Sequence, residues 1–240
     1  MFKIKLIFIC LCAYLLISRI NAVPWEKVLE KNGISVFSRE HVATGLYEFR
    51  GRGMVYAAPG KIISMLQDIK YMTKWVEGCV SSSVLEKNFT GTSFDMDFSN
   101  YRMVIHAENS IPWPFENRDY VLKGRVAYNS DTDTAFMLLE TTTHPARPVR
   151  DGIVRMDLMK ISFSIKPMNQ DKHSMIDFYV HLDPGGNIPH WVVNFMTKNE
   201  PYKSITKLRE LVKSDKYDKS VEELVNFHLK KLRNKNFQLK

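Results

Sequence analysis

Apolar residues change their spacing along this chain, and each change marks an element. Pro24–Lys31 is predicted as a short helix, stopped by Asn32-Gly33. Ile34–His41 and Leu46–Tyr56 are rich in branched and aromatic residues around Thr44-Gly45, which predicts two strands. Ala58-Pro59-Gly60 then introduces a helix, with Ile62, Ile63, Leu66, Ile69 and Met72 on one stripe.

From Val80 to Leu182 the period is close to two. Phe94, Met96 and Phe98 alternate with Asp95 and Asp97, so one face is apolar and the other wet. Asn129-Ser130-Asp131 separates strands at roughly Tyr120–Tyr128 and Ala135–Thr143. Val154, Met156 and Leu158 fall on even positions, while Ile161, Phe163 and Ile165 fall on odd ones. That change of parity predicts a β-bulge near Met159-Lys160. Ile176, Phe178, Val180 and Leu182 close the series.

Asp183-Pro184-Gly185-Gly186-Asn187 is a turn. Behind it, Ile188, Trp191, Val192, Phe195 and Met196 form a helical stripe that Tyr202, Ile205, Leu208 and Val212 continue, with a kink expected at Pro201. Residues 215–240 form a separate basic amphipathic stretch. The pattern is that of an α+β protein: a long, strongly curved antiparallel sheet wrapped around a C-terminal helix. Curved sheet and helix must bury their apolar faces against each other, which leaves a hollow wherever the lining is incomplete.

Composition sharpens this picture. With 240 residues, 45% of them hydrophobic, the chain is neither disordered nor collagen-like. Lys3 and Lys5 open a basic start, Ile4 to Ile17 run almost entirely apolar, and Ile20-Asn21-Ala22 offers a small residue for cleavage, the pattern of a secretory signal over residues 1–22. A run of about 14 residues is short for a membrane span, although a retained anchor is the alternative. Removing 22 of the 240 residues leaves 218. It takes away Lys3, Lys5, Arg19, Cys10 and Cys12, so the formal charge falls from +8 to +5 and Cys79 stands alone. Such a domain rests on its apolar core rather than on disulfides, with Cys79 read as a small buried hydrophobe. Asn88-Phe89-Thr90 is a glycosylation acceptor only in a eukaryotic host. The expected location is secreted or periplasmic.

Signals of chemistry are sparse. The sequence has no Gly-x-Ser-x-Gly elbow, no Walker loop and no His-Glu-x-x-His site. His106, His144, His173, His181 and His190 are scattered without ligand spacing. The aromatics follow strand and helix periods rather than interleaving with exposed basic residues, which argues against nucleic acid. Two proline-stiffened loops stand out, Ile111–Tyr120 and Thr143–Gly152. In the first, Trp113 can plug the core and Arg118 can pair with a nearby acid.

These segments resemble a StAR-related lipid-transfer (START) domain. The resemblance is carried by Gly33-Ile34-Ser35-Val36 with Phe49-Arg50-Gly51, by Asp68 through Trp75, by Trp113-Pro114-Phe115-Glu116-Asn117-Arg118-Asp119-Tyr120, and by Asp183-Pro184-Gly185-Gly186-Asn187-Ile188-Pro189 with the following helix. It spans roughly Trp25 to Ser214, so residues 23–214 are read as the lipid-binding domain. It implies a helix-grip fold around a hydrophobic tunnel for one lipid or sterol, gated by the last helix and neighbouring loops. The candidate lining or gate residues are then Phe94, Met96, Phe98, Arg102, Trp113, Phe136, Leu138, Phe178, Val180, Trp191, Val192, Phe195 and Met196. Arg102 shares strand parity with Phe94, Met96 and Phe98, so an inward Arg102 would need an anion from a ligand or from Asp119 or Glu108. The facing of Lys123-Gly124-Arg125 is ambiguous.

Lys198, Lys203, Lys207, Arg209 and Lys213 make the last helix basic, which suits transient contact with an anionic membrane or simply a solvated face. This reading expects a monomer and calls for no catalytic residue, no cofactor, no metal and no nucleic acid. Two alternatives remain: an enzyme using His144 or His181 on the same cavity, and an interaction domain whose core is filled. A cavity much below about 300 Å³ would favour the latter.

Overall fold

The computed structural model describes residues 23–87, 103–129, 132–170 and 172–218. Its strands are β1 (Glu26–Lys31), β2 (Ile34–Glu40), β3 (Tyr47–Val55), β4 (Cys79–Lys87), β5 (Met103–Asn109), β6 (Asn117–Asn129), β7 (Thr134–Thr141), β8 (Ile153–Arg155), β9 (Leu158–Met168) and β10 (His173–Asp183). The helices are α1 (Pro59–Gln67), α2 (His190–Thr197) and α3 (Glu200–Leu211), with 3-10 turns at Ile69–Lys74 and Asp215–Tyr217.

All strands join one sheet, in the order β1-β2-β3-β10-β9-β7-β6-β5-β4, and the short β8 runs parallel to β6. The remaining pairings are antiparallel. The expected α+β helix-grip architecture is the one observed.

Several local expectations are corrected. Residues 26–31 form an edge strand, not a helix. Asn32 and Gly33 both take positive φ, 52° and 66°, the conformation of a tight hairpin turn, so the pair folds β1 back onto β2 instead of ending a helix. The change of parity near residue 159 is not a bulge. β9 runs in unbroken register against both β7 and β10, and the parity changes because Val154 belongs to β8 on the far side of a break at Met156-Asp157. At Pro201 the long C-terminal helix divides into α2 and α3 through Lys198 and Asn199, which keep right-handed helical angles.

The concave face of the sheet carries Ile34, Val36, Phe49, Val55, Ile105, Leu122, Met137, Leu139, Phe163, Ile165, Ile176 and Phe178. α1 adds Ile62, Ile63, Met65 and Leu66 to the same core, and α3 adds Ile205 and Leu208. Tyr217 belongs to this core too. Its hydroxyl donates to Asp68, and Lys216 pairs with Asp68 at 2.6 Å, which fixes the C-terminal end of the described chain.

α3 lies across β2, β3 and β10. Its closest approach is over Gly51 and Gly53, where a Cβ on Gly51 would sit 2.6 Å from Cβ of Pro201, and one on Gly53 3.2 Å from Ile205. Arg209 locks the contact by donating to the carbonyls of Met54 and Asn32, both at 2.7 Å. Gly51→Ala should therefore push α3 off the sheet and destabilise the fold by about 1–3 kcal/mol, read as a lower urea midpoint. An unchanged midpoint would mean that the helix is not seated on that glycine.

Candidate functional site

Beyond the part of the sheet that α3 covers, the concave face stays open and encloses a cavity of about 680 Å³. That volume is ample for a small lipid and excludes a filled core. Among the described residues, its sheet wall is built from Ile105, Leu122, Met137, Leu139, Met159, Ile161, Phe163, Phe178, Val180 and Leu182. Leu66, Ile69, Met72, Trp75 and Val76 close it from α1 and the following 3-10 turn. Ile188, Val193, Phe195, Met196 and Thr197 close it from α2. Trp75, Phe163 and Phe178 form an aromatic floor, with ring centroids 6.3 Å and 4.7 Å apart in sequence of contact.

Polar groups gather at one region of this wall. The Tyr120 hydroxyl donates to Asn109 at 3.1 Å, and the Asn109 amide donates to the carbonyl of Glu77 at 3.1 Å. Burial raises the Tyr120 phenol well above its ordinary range, and the charges of nearby Cys79 and Glu200 add to this. Glu200, the half-buried first residue of α3, lies on the cavity wall with Asn199, Lys203 and Ser204. Burial and then Glu77 push its carboxyl up to about 7, against a smaller opposing pull from Lys203. The Lys203 ammonium is itself engaged by Glu77. Trp75 Nε1 is shielded from solvent and meets no acceptor among the described residues.

Arg118 also reaches the wall, and burial depresses its pKa. It is not paired with a nearby acid as its sequence neighbours suggested. Instead it donates to the carbonyls of Glu116, Pro184 and Gly185, stitching the Trp-Pro loop to the Pro-Gly-Gly turn. Its neighbour Asp119 points to the opposite face of the sheet, where Arg155 donates to it at 2.7 and 2.9 Å and His106 lies at 3.0 Å. Burial alone would raise the Asp119 carboxyl, but Arg155 and His106 hold it below the usual range. This cluster is structural, since Arg155 also caps the carbonyls of Arg147 and Pro148 and so fixes the second proline loop.

The candidate residues read from sequence divide sharply. Phe178, Val180, Phe195 and Met196 line the cavity. Phe136 and Leu138 do not: they take the outer face, and it is Met137 and Leu139 that point inward. Both faces of this strand are apolar, so alternation alone is ambiguous. The shared parity of Phe136, Leu138 and Glu140 was the available signal for the wet side. Trp113 and Trp191 stand in solvent, 92% and 73% exposed, and Phe195 is 73% exposed although it borders the cavity. Val192 packs at the small cluster of Leu46, Ile188 and Val193. The α2 stripe is thus not a buried face; the helix is apolar toward both cavity and solvent. Phe94, Met96, Phe98 and Arg102 lie outside the described residues. Gly124 faces inward against Leu139, while Lys123 pairs with Glu140 on the outer face.

The histidines offered for catalysis sit elsewhere. His144 bonds Glu86 at 2.9 Å, and His181 stacks on His41 with ring centroids 4.4 Å apart. Neither borders the cavity. Cys79 is buried and its thiol is pushed up to about 11 by that burial, so it is chemically quiet. Of the basic residues expected on the last helix, Arg209, Lys203 and Lys207 are engaged within the protein. Sequence reading missed Trp75, Glu77, Tyr120 and Glu200. Of these only Tyr120 carried a signal, since it alternates with Arg118 and Leu122 on one strand face.

Fold and cavity together define a helix-grip protein with an unfilled apolar interior. The START domain model matches residues 13–217, and the chain belongs to that family. It is 29% identical over 192 residues to the phosphatidylcholine transfer protein of Rattus norvegicus, spanning 78% of this chain and 83% of that one. The Homo sapiens protein of the same name is 27% identical over 191 residues, with 78% and 83% coverage. Among solved structures, a STAR-related lipid transfer protein fragment from Xanthomonas axonopodis superposes with a TM-score of 0.67 at 25% identity, covering 79% of this chain and 99% of that one. Human StAR-related lipid transfer protein 5 has the same fold, with a TM-score of 0.67 at 21% identity and coverage of 85% and 93%.

The Glu200 carboxyl has a consequence for stability. Below 4.5 it is protonated in folded and unfolded chains alike and makes no difference between them. Between 4.5 and about 7 the unfolded chain loses the proton while the folded chain keeps it, so the folded state loses ground as pH rises. Glu200→Gln removes this penalty. It should match the parent protein near pH ~4 and exceed it by about 1–3 kcal/mol near pH ~8 in denaturant titrations. Equal stability at both pH values would show that the carboxyl is solvated.

Proposed function

We propose that this protein binds a single lipid in the cavity and carries or presents it outside the cytoplasm, without chemical conversion. The observation that carries the reading is the 680 Å³ apolar hollow, enclosed by sheet, α1 and α2 in a chain of the START family. The relatives named as phosphatidylcholine transfer proteins support a lipid with a polar head. The signal-like pattern of residues 1–22 supports export.

The physics of transfer needs no reacting group. A lipid passing through water exposes apolar surface worth about 0.8 kcal/mol per methylene, or roughly 12 kcal/mol for a chain of ~16 carbons. An apolar cavity supplies substitute surroundings and removes most of that barrier. What remains is opening and docking.

α2 is the element suited to both. α3 is tethered by Pro201 on Gly51 and by Arg209, whereas α2 rests on the small cluster of Leu46, Ile188 and Val193 and on one hydrogen bond, from Tyr47 N–H to Asn194, at 3.0 Å. Movement at Lys198-Asn199 swings α2 away while α3 stays seated. Trp191 and Phe195, one turn apart, face outward and would enter the headgroup layer, where aromatic side chains are favoured. In this reading the carrier works as a monomer that touches the membrane transiently.

Native mass spectrometry after incubation with liposomes tests the reading. One lipid per chain is expected, and Val180→Phe should reduce the loaded fraction several-fold by filling the cavity. A chain that stays empty overturns the proposal. For docking, Trp191→Ser with Phe195→Ser should slow vesicle-to-vesicle transfer by about tenfold or more, each residue withdrawing a large apolar group from the interface. An unchanged rate would place the membrane contact elsewhere.

A further inference from the structure

The cavity wall holds one polar group that the protein itself leaves unanswered. The Glu200 carboxyl makes no hydrogen bond or ion pair among the described residues. The nearest cation, Lys203, is taken by Glu77, and Glu77 adds a second negative charge. A half-buried carboxyl left without a partner on the wall of an apolar cavity points to a guest that answers it.

Resting on the lipid-carrier reading, we propose that the region around Glu200 is a subsite for a primary ammonium group on the bound lipid, with Glu200 as its counter-charge and hydrogen-bond acceptor. The chemistry selects this group over its alternatives. A carboxylate can only accept, so it needs N–H or O–H donors. A primary ammonium supplies three donors and the missing charge, and a charge-assisted bond is the strong kind. A trimethylammonium supplies the charge but no N–H donor, so the carboxylate oxygens would stay without a hydrogen bond. A sterol hydroxyl supplies one donor and leaves the charge unmet. An anionic head would meet Glu77 and Glu200 with repulsion.

The titratable groups facing this point are Glu77 beside the Gly78 turn, Cys79 at the start of β4, Tyr120 on β6 and Lys203 on α3. Cys79 and Tyr120 stay neutral across the physiological range, since burial raises both. Glu200 is therefore the group that changes charge near neutrality, and selection for an ammonium should strengthen as it ionises.

The test is competitive loading from vesicles that contain equal amounts of ethanolamine and choline phospholipids with identical acyl chains. Bound lipid is then counted by native mass spectrometry. The parent protein should be enriched in the ethanolamine lipid by about tenfold, roughly one charge-assisted interaction. Glu200→Gln should bring the two within about twofold, and Glu200→Asp should keep most of the enrichment. Enrichment in the parent should rise from about pH 6 to about pH 8 and stay flat in Glu200→Gln, a dependence that a merely structural role would not produce. Equal loading by the parent, or enrichment that survives in Glu200→Gln, overturns the subsite while leaving the carrier intact. A chain that takes up neither lipid overturns both.

Discussion

The seating of α3 on β3 governs everything else in this molecule. Gly51 and Gly53 remove the side chains that would hold a helix off the sheet, and Pro201 and Ile205 occupy the space so made. Arg209 then ties the helix to the carbonyls of the β1–β2 hairpin and the end of β3. A helix held that tightly at β2, β3 and β10 is committed to one end of the curved sheet. The concave faces of β5, β6 and β7 are left without a closely packed helix of their own. The cavity is the geometric remainder of one close contact.

That contact also separates a rigid half from a loose one. α1, α3 and the 3-10 turn at Asp215–Tyr217 share one continuous core with the sheet. α2 is joined instead to a small satellite of Leu46, Ile188 and Val193. Free energies of local opening follow the number of buried apolar contacts, so the opening proposed for α2 falls on the least deeply packed of the three helices. Arg118 matters here for a mechanical reason. By bridging Glu116, Pro184 and Gly185 it fixes the turn from which α2 departs.

The sequence made the large features plain and the site obscure. Period-two alternation with one apolar side is a strong constraint on a half-buried strand, so the long meander from β4 to β10 could be read directly. The glycine-rich turn after Asp183 and the apolar run behind it were equally clear. Errors arose where one local signal served two structures. Asn32-Gly33 ends a helix or turns a hairpin, and only the pairing of β1 with β2 decides. Phe136 and Leu138 are as hydrophobic as Met137 and Leu139, so the choice of face depended on Glu140. The helical spacing of Trp191 and Phe195 points to lining or gate; Phe195 borders the cavity, while both rings stand largely in solvent. The polar wall was out of reach, because Glu77, Tyr120 and Glu200 come from distant segments and meet only through the fold.

The outer face of β6 and the cavity side of α3 contrast a structural polar group with the one proposed to meet a ligand. On the outer face, Asp119 is buried, and Arg155 and His106 satisfy its oxygens, while Arg155 spends its remaining donors on the proline loop. Such a network rigidifies, because every member is answered. On the cavity side, the Glu200 carboxyl has no hydrogen-bond partner among the described residues, and burial together with Glu77 raises its pKa. An acid driven toward neutrality and an unfilled apolar hollow both cost stability. On the proposed reading both costs are removed by the same event, the arrival of one molecule with an apolar body and a donating polar end, and stability then favours the loaded state by the mass action of whatever fills the cavity.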